Sequence, residues 1–369
     1  MKSMKNQCGS VLVFATLMIV LLLVMVGIGL DTGWITYVRG LGQPAVDAAA
    51  LAGASALPTG GWPTEVENRV KAFNATNDYA QSSGNPLTKN NITGIVWDPL
   101  TGFINQAAGP NIPNGIRVAL ETNNPYDFSK RDNAINAPLF LTPLFNVLGI
   151  SMAKTTNINV SAVAVLQGVP NLPMAIAGCP PADAATRCAT WDSNGATKCQ
   201  LALNPATTDD SGWTTFNVPP ASSEAVQALI TEPATCSGKI PPVEVGSKIC
   251  LGNGTVRPVL NELQTFYSTN GDGLRGLTDP AAPYPNDCAL IPVVASTVTS
   301  FNHCDEPVVS FAKLCIRDVQ MTSPKYVYGD ITCNQSLFYN PNVGNNGAKC
   351  FVPRLVREKK SPTCATCSM

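Results

Sequence analysis

Residues 40–58, GLGQPAVDAAALAGASALP, follow a long apolar run and carry a single charge, Asp47. Small residues recur at every fourth position on two lines, which are Ala45, Ala49 and Gly53, and Ala48, Ala52 and Ala56. Such lines allow helix backbones to approach closely, and alanine has the highest helix propensity. The stretch therefore predicts a helix that packs against other helices or against the chain's own outer domain. An ordinary alanine-rich surface helix is the alternative.

The apolar run before this stretch, Ser10–Leu30, contains no charged residue. At 1.5 Å per residue, a helix of this length spans the roughly 30 Å hydrocarbon core of a bilayer. Lys2 and Lys5 precede it and Asp31 follows it, so the positive-inside rule predicts a cytoplasmic N-terminus. A cleaved signal peptide is the competing interpretation, but its apolar region would be only about 7–15 residues long. We expect an uncleaved anchor, and we expect Pro44 to kink or restart the helix beyond it.

The composition excludes nucleic-acid binding as a main function. The 369 residues include 24 Lys and Arg against 25 Asp and Glu, so no global positive field attracts a polyanion. Charged residues make up 13% of the chain, against about 25% in typical domains. The polarity comes from Asn, Thr, Gly and Pro instead, which is typical of loop-rich extracytoplasmic proteins.

The cysteines are distributed unevenly. Of the 13 cysteines, Cys8 precedes the apolar run and the other twelve lie between Cys179 and Cys367. This clustering indicates disulfide bonds in an oxidising compartment. A metal cluster is the alternative, but only Cys364 and Cys367 have CxxC spacing, and His303 is the single histidine. The disulfide candidates, whose pairing the sequence leaves open, are Cys179, Cys188, Cys199, Cys236, Cys250, Cys288, Cys304, Cys315, Cys333, Cys350, Cys364 and Cys367.

The first 57 residues resemble the N-terminal region of TadG-like proteins of the tight-adherence (Tad/Flp) pilus assembly system. The shared features are a glycine before the apolar helix, an Asp-x-Gly after it, an arginine, and an aspartate that opens the alanine run. The residues that carry the resemblance are Gly9, Asp31, Gly33, Arg39, Leu41, Gln43 and Asp47. The resemblance implies a single-pass protein of the bacterial inner membrane, with the bulk of the chain periplasmic or extracellular. It also implies that the 31–57 helix contacts other pilus-assembly or pilin-like proteins, and it is compatible with an oligomer.

Two motifs of related proteins are missing. Prepilin-like relatives carry an acidic residue five positions after a processing glycine, whereas Phe14 stands five positions after Gly9, which argues against cleavage by a prepilin peptidase. Other relatives carry a D-x-S-x-S metal site; the nearest stretch here, from Asp209, has Trp213 in place of a serine. No cofactor and no metal are therefore expected.

The sequence predicts an α+β protein in five segments. An N-terminal transmembrane helix continues into a long alanine-rich helix, a pilin-like α+β unit follows, and a β-rich, disulfide-stapled domain ends the chain. The segments are a cytoplasmic N-terminus at 1–9, the span at 10–30, the alanine-rich helix at 31–57, a membrane-proximal α+β unit at 58–168, and a cysteine-rich extracytoplasmic domain at 169–369.

Apolar periodicity and turn residues place the elements of the two outer segments. In the α+β unit, the predictions are a helix at 64–79, a hairpin of strands at 91–97 and 102–106, a strand at 115–120, a buried helix at 137–150 and a strand at 158–166. In the cysteine-rich domain, they are strands near 290–294, 308–319 and 326–331 and helices at 223–230 and 258–267.

No catalytic set is apparent. His303, Cys304 and Asp305 are adjacent in sequence, whereas catalytic groups meet in space, and Cys304 is a disulfide candidate. The stretch NGDGLRGLTD, 270–279, could offer carboxylates to calcium but lacks the alternating acidic residues of an EF-hand, so a turn is preferred. The terminal CATC lacks a thioredoxin-like context.

The leading hypothesis is a non-enzymatic, membrane-anchored component of Tad/Flp pilus assembly that acts through helix packing and protein–protein contacts. One alternative is an anchored surface adhesin or envelope structural protein. Another is an extracytoplasmic hydrolase whose acidic residues, such as Asp183, Asp209 and Glu244, are dispersed in the sequence.

Overall fold

The chain forms two compact units, residues 1–164 with 355–369, and residues 165–354. The architecture confirms the predicted α+β class, with a long apolar N-terminal helix, mixed helices and sheets, and a β-rich part that holds four disulfides. The division into folding domains at residue 168 stays a prediction. The computed structural model describes residues 8–59, 62–74, 87–99, 101–106, 113–122, 134–147, 149–179, 196–202, 211–217, 222–231, 236, 238–252, 257–270, 287–298, 301–322, 325–339, 347–357 and 359–360.

The first unit begins with the helix α1, Cys8–Ala54, which is continuous through Pro44. The helix therefore does not restart at this proline, and the alternative that the sequence predicts, a kink at Pro44, stays a prediction. A short 3-10 turn, Leu57–Thr59, leads to α2, Thr64–Asn74, which is the predicted helix as far as the structure describes it. The remaining predicted residues, 75–79, lie outside the described residues.

The C-terminal half of α1 packs where α2 and the sheet of the first unit meet. Gly53 is a point of close approach: a Cβ there would lie 3.1 Å from Val70 Cγ2, 3.2 Å from Ile116 Cγ2 and 3.3 Å from Val66 Cγ1. All three of these side chains are fully buried. The absence of a side chain at Gly53 therefore lets the helix close onto both neighbours.

The sheet of the first unit is built from β1, Ile92–Trp97, β2, Phe103–Gln106, β3, Gly115–Leu120, β6, Val160–Val169, and β15, Lys359–Lys360. The strand order is β6-β3-β1-β2-β15. β1 pairs antiparallel with β2 and with β3, which confirms the predicted hairpin and the predicted strand at 115–120. β3 is buried at every position, and its Arg117 donates to the Glu121 carboxylate at 2.6 and 2.9 Å.

A second hairpin joins β4, Ile135–Pro138, to β5, Thr155–Ile158, with Ile135 opposite Ile158. Its tip contains a short helix, α3, Thr142–Val147. The predicted buried helix at 137–150 is therefore wrong in extent, because its first two residues pair in β4. Phe140, which the prediction placed in that buried helix, is 53% exposed.

The second unit is organised around a sheet of seven described strands, which are β7, Met174–Ala177, β8, Ala196–Ala202, β9, Ser211–Phe216, β10, Lys248–Gly252, β11, Cys288–Val294, β12, Glu306–Gln320, and β13, Tyr326–Thr332. Their order in the sheet is β10-β9-β7-β11-β12-β13-β8. β10 also pairs with the start of β12, where Lys248 faces Pro307 and Ile249 faces Glu306. Five of these strands, β10, β9, β7, β11 and β12, therefore close into a ring, which leaves few free edges. β14, Cys350–Val356, follows β13 along the chain.

Two helices, α4, Ser223–Ile230, and α5, Arg257–Asn270, lie in this unit and confirm the two helices predicted there. The apolar side chains of the two helices pack with alternate residues of β11 and β12, such as Ile291, in one layer of the core. The intervening residues of the same strands, such as Leu290, join a second layer with Phe301. Both faces of β11 are therefore covered, which explains why all seven of its residues are buried.

Four disulfides tie the second unit together. The pairs are Cys179–Cys333, Cys236–Cys350, Cys250–Cys304 and Cys288–Cys315. Three other candidates, Cys188, Cys364 and Cys367, lie outside the described residues, and Cys199 lies on β8, where only the backbone is described. The bonds span 27 to 154 residues of sequence, so they constrain long loops of the unfolded chain.

The four pairings can be tested by peptide mapping. Protein from which free thiols are blocked before proteolysis should yield cross-linked peptide pairs that separate on reduction, and these should include the four pairs seen among the described residues. The expected partners are those in the structure, and Cys179 linked to any residue other than Cys333 would contradict it. Replacing Cys179 and Cys333 together by alanine should lower the free energy of unfolding by several kcal/mol, since this loop is the longest.

Packing at Gly53 gives a second prediction. Gly53→Leu should lower the free energy of unfolding of the first unit by about 2 kcal/mol or more, because the added carbons overlap Val70 and Ile116. Gly40→Leu is the matched control, since no atom lies within 4 Å of its Cβ position. Urea unfolding in detergent, followed by tryptophan fluorescence, measures both. Equal stability of the two variants would contradict the packing.

Candidate functional site on the long helix

The first part of α1 is apolar and exposed. Its large apolar side chains from Val11 to Leu30, except the half-buried Val24, are 39% to 71% exposed. Among the described residues, one helix, within Val11–Ala54, is long and apolar enough to cross a membrane, and 6% of its most apolar window is buried. Removing such a surface from water is favourable at about 25 cal/mol per Å². A bilayer is the apolar environment that fits a segment of this length.

One face of α1 packs against the chain itself. Going outward from the span, Gly27 is buried, Asp31, Trp34 and Val38 are half-buried, and Gly42 is buried. These spacings of three and four residues lie on one side of a helix with 3.6 residues per turn. We call Gly27, Asp31, Trp34, Val38 and Gly42 the packing stripe of α1. It leads directly into the buried residues of the alanine run.

Asp31 fixes the packing stripe to the tip of the second hairpin. Its carboxylate accepts hydrogen bonds from the backbone N–H of Phe140 at 2.5 Å and of Leu141 at 3.3 Å. These two amides immediately precede α3, where backbone N–H groups have no partner within the helix. A charged acceptor makes such bonds stronger than neutral ones. Asp31, the first acidic residue after the apolar run, is thus held by a segment about 110 residues further along the chain.

The two buried glycines of the stripe accommodate the same hairpin at its two ends. A Cβ at Gly27 would overlap the side chain of Leu141, and one at Gly42 would lie 2.5 Å from Ile135 Cδ1. Gly27 and Gly42 are about 22 Å apart along the helix axis. The extended segment from Ile135 to Leu141 covers about 20 Å. The hairpin therefore runs alongside α1, back toward the apolar half.

Aromatic rings also contribute to the contact between α1 and the hairpin tip near Asp31. Trp34 meets Phe140 edge to face, with ring centroids 6.0 Å apart and an interplanar angle of 81°. Tyr37 lies on the other side of Trp34, at 5.6 Å, and is 57% exposed. The indole N–H of Trp34 finds no partner among the described residues. Its contribution here is therefore the packing of the ring.

The polar residues of the family motif beyond Arg39 also have partners. Gln43 donates to Asp47 Oδ1 at 2.8 Å and to the carbonyl oxygen of Ser161, on β6, at 3.0 Å. Gln43 therefore links the helix to the sheet, and Asp47 holds the Gln43 amide in place. Gly33 and Arg39, in contrast, are exposed.

The predicted small-residue lines occupy two environments. Ala45, Ala49 and Gly53 are buried in the chain's own first unit. On the second line, Ala56 is buried, whereas Ala48 and Ala52 are half-buried. The structure thus brings the first line together with α2 and β3 of the same chain. That the lines contact partner proteins stays a prediction.

The second unit contains several groups that chemistry could use. Cys304 is bonded to Cys250, so its sulfur is not free to act as a nucleophile. His303 Nε2 lies 2.8 Å from the Glu306 carboxylate. Burial, and then the charge of Asp287, raise the pKa of the Tyr267 phenol. Within the part of the chain that the structure describes, no group of three or more His, Cys, Asp or Glu residues could hold a metal ion.

The other predicted reactive residues are partnered or undescribed. Glu244 accepts from Arg354 at 2.6 Å. Asp183, Asp209, the 271–279 part of the calcium candidate and the terminal CATC lie outside the described residues. A cleft of about 60 Å³ lies beside the Cys236–Cys350 bond, far smaller than the roughly 300–1,000 Å³ of a ligand pocket. The described residues therefore point to α1, and not to the second unit, as the candidate site.

Sequence reasoning missed the hairpin contact with the packing stripe. It singled out Asp31, but it assigned Phe140 and Leu141 to a buried helix with no stated partner. Gly27 and Gly42 lie on the same helix face, which was a signal that a second element approaches there. Which element it is could not be read from α1 alone.

Removing the Asp31 carboxylate should release the hairpin tip. In Asp31→Ala, two charge-assisted hydrogen bonds are lost, each worth about 1.5–3 kcal/mol. Amide exchange at Phe140 and Leu141 should therefore accelerate about tenfold or more, measured by hydrogen exchange and mass spectrometry on peptides from 139–147. Arg39→Ala, which changes an exposed side chain on the same helix, is the control. Unaltered exchange in Asp31→Ala would rule out the contact.

Comparison with known proteins identifies the same region. Residues 9–56 match the family model described as putative Flp pilus-assembly TadE/G-like. No match was found among curated proteins or among solved structures. The matched range begins at the second residue of α1 and ends two residues after the helix. The predicted resemblance is thus confirmed: the chain carries a TadE/G-like Flp pilus-assembly region at residues 9–56.

Proposed function

We propose that the protein is a non-enzymatic, membrane-anchored component of Tad/Flp pilus assembly, acting through the packing of α1 and through protein–protein contacts. The TadE/G-like region supports a role in pilus assembly. The observation that carries the proposal is that this region coincides with α1. This is the helix that combines an exposed apolar half with a face fixed to the chain's own outer part.

The proposed orientation has the N-terminus in the cytoplasm and places the part of the first unit that follows the span, together with the second unit, outside the bacterial inner membrane. Lys2 and Lys5 precede the span, which favours a cytoplasmic N-terminus. Disulfides form and persist in oxidising compartments, which supports an external second unit. Peptide mapping on membranes whose thiols are blocked at lysis tests this, since a fully reduced second unit would contradict the orientation.

The partner-binding surface of the proposal is the face of α1 opposite the packing stripe. Gly29, Gly33, Thr36 and Gly40 lie on this face at spacings of four, three and four residues. No atom lies within 4 Å of the Cβ position of any of the three glycines. The Thr36 hydroxyl donates to the Thr32 carbonyl oxygen at 2.8 Å, so it requires no other partner. Small residues at such spacing let a second helix approach closely.

This face suits a partner better than the line of Ala45, Ala49 and Gly53. The latter residues are buried against the chain's own elements. A partner helix at that line would have to displace α2, whose Val66 and Val70 fill the space. The proposed contact therefore lies closer to the membrane than the alanine run, at the junction of the span and the outer part of α1.

A pair of matched variants tests the proposal in the native bacterium. Gly29→Leu with Gly33→Leu should abolish Flp pili and the cross-linking of α1 to pilus-assembly proteins, because the larger side chains separate the helices. Gly29→Ala with Gly33→Ala keeps small side chains and should retain both. The measurements are pilus counts by electron microscopy and cross-links from a photoreactive residue at Thr36.

Membrane levels of both variants must match the wild type, since the test concerns contacts and not insertion. Normal piliation in a strain that lacks the gene would refute a role in pilus assembly. Normal piliation in the double leucine variant, together with loss in the deletion strain, would refute only the proposed face.

A further inference from the structure

We infer that the tip of the β4–β5 hairpin, residues 139–147 and 149–154, is a second membrane-contacting element that lies in the lipid interface beside α1. This inference rests on the proposed membrane anchoring of α1 and adds to it a contact made by another part of the chain. The occupant of the surface is the bilayer itself, at the boundary between its headgroups and acyl chains.

The first argument is the depth at which the tip is held. Leu141 packs against Gly27, and Gly27 lies three residues inside the charge-free run that ends at Leu30. Three helical residues correspond to about 4.5 Å along the axis. Elements that lie in the membrane interface bury their apolar faces by about 5–10 Å. With α1 in a bilayer, the tip is therefore at the depth of an interfacial element.

The second argument is the composition of the tip surface. Phe140, Ile150 and Met152 are 53%, 50% and 45% exposed. Among the described residues outside α1, three other large apolar side chains are at least 40% exposed, which are Val245, Val309 and Leu355. Half of these exposed side chains therefore fall within 13 residues, on the loop that approaches the span. Loop tips in water are usually polar, so this cluster needs an apolar cover.

The third argument is the arrangement of polar and aromatic groups around the tip. Asp31 is not left facing lipid, because the amides of Phe140 and Leu141 bind its carboxylate. Tyr37, exposed above the tip, is an aromatic type enriched at membrane interfaces. Lys154, at the end of the tip, is exposed and carries the charge that anionic headgroups attract. The tip thus combines exposed apolar side chains with an aromatic residue and a cation of the kinds found at membrane interfaces.

The internal hydrogen bonds of the tip permit such a position. Leu139 N–H donates to the Lys154 carbonyl oxygen at 3.0 Å, Thr142 Oγ1 donates to the Ala153 carbonyl oxygen at 2.7 Å, and Ile150 N–H donates to the Phe145 carbonyl oxygen at 2.9 Å. Backbone groups that are already paired cost less to move out of water. These internal bonds therefore lower the cost of placing the tip in the lipid interface.

A second copy of the chain or a soluble protein could also cover three apolar side chains. The position of the tip favours lipid, because its surface continues directly from the exposed part of α1 that lies within the charge-free run. A protein that covered Phe140 and Ile150 would have to sit at the same depth and displace lipid from α1 as well.

Photo-crosslinking of the full chain in vesicles tests the inference. The photoreactive residue p-benzoylphenylalanine replaces Phe140 or Ile150, and the protein is reconstituted in vesicles of phosphatidylethanolamine and phosphatidylglycerol. Leu17, in the middle of the span, is the positive control, and Val245, which is 65% exposed in the second unit, is the matched negative control. Mass spectrometry of the irradiated protein identifies lipid adducts at each position.

Lipid adducts at 140 and 150, in a yield within a few-fold of that at 17 and at least tenfold above that at 245, are the expected result. Adducts at 17 without adducts at 140 and 150 would overturn the inference and leave the anchor intact. Links between two copies of the chain at 140 or 150 would overturn it in favour of a protein contact. Absence of adducts at 17 would overturn the membrane anchoring and the inference with it.

Discussion

A carboxylate at the outer end of an apolar helix needs hydrogen-bond donors, and in this protein the backbone amides of Phe140 and Leu141 supply them. These two hydrogen bonds satisfy the carboxylate of Asp31 and also the two amide groups, which lie just before α3, where backbone N–H groups have no partner within the helix. Because Asp31 ends the charge-free run, the bonds also set the height of the hairpin tip relative to the span. A single charged residue thereby couples the helix inside the membrane region to the folded part outside it.

As a consequence, one face of α1 is packed against the chain itself and the opposite face is exposed. The packing stripe, with its two buried glycines, is filled by the hairpin, and the alanine run continues this contact onto α2 and β3. Gly29, Gly33 and Gly40 lie on the other side, and no atom of a neighbouring described residue lies within 4 Å of their Cβ positions. A helix fixed on one side by its own chain presents its opposite side in a defined direction. This makes the bare face more useful for a partner than a freely rotating stalk would be, because less orientational freedom is lost on binding.

The sequence predicted the elements that neighbouring residues specify, and it failed for elements that depend on contacts between residues far apart in the chain. The span, α2, the β1–β2 hairpin and β3 followed from apolar periodicity and turn residues. The helix at 137–150 was wrong in extent because Ala137 and Pro138 pair with Thr155 and Thr156, a contact that no local pattern reveals. Four strands of the second unit, β7 to β10, were not predicted. β7 and β9 are buried at every described position and show no polar–apolar alternation, which is the pattern that identifies half-exposed strands.

The candidate site shows the same contrast between residues that could be selected from the sequence and contact partners that could not. Asp31, Gly33, Arg39 and Asp47 could be selected from their order along α1, but the atoms that contact Asp31 and Gln43 belong to residues 140, 141 and 161. The matched region, 9–56, therefore contains only half of each of these contacts. Without the hairpin, Asp31 would lose its two donors, Gly27 would lose its contact with Leu141, and Gly42 would lose its contact with Ile135. The TadE/G-like region of this protein is thus better understood as one side of an interface within the first unit than as an independent domain, since the hairpin, α2 and β3 of the same unit cover its buried face.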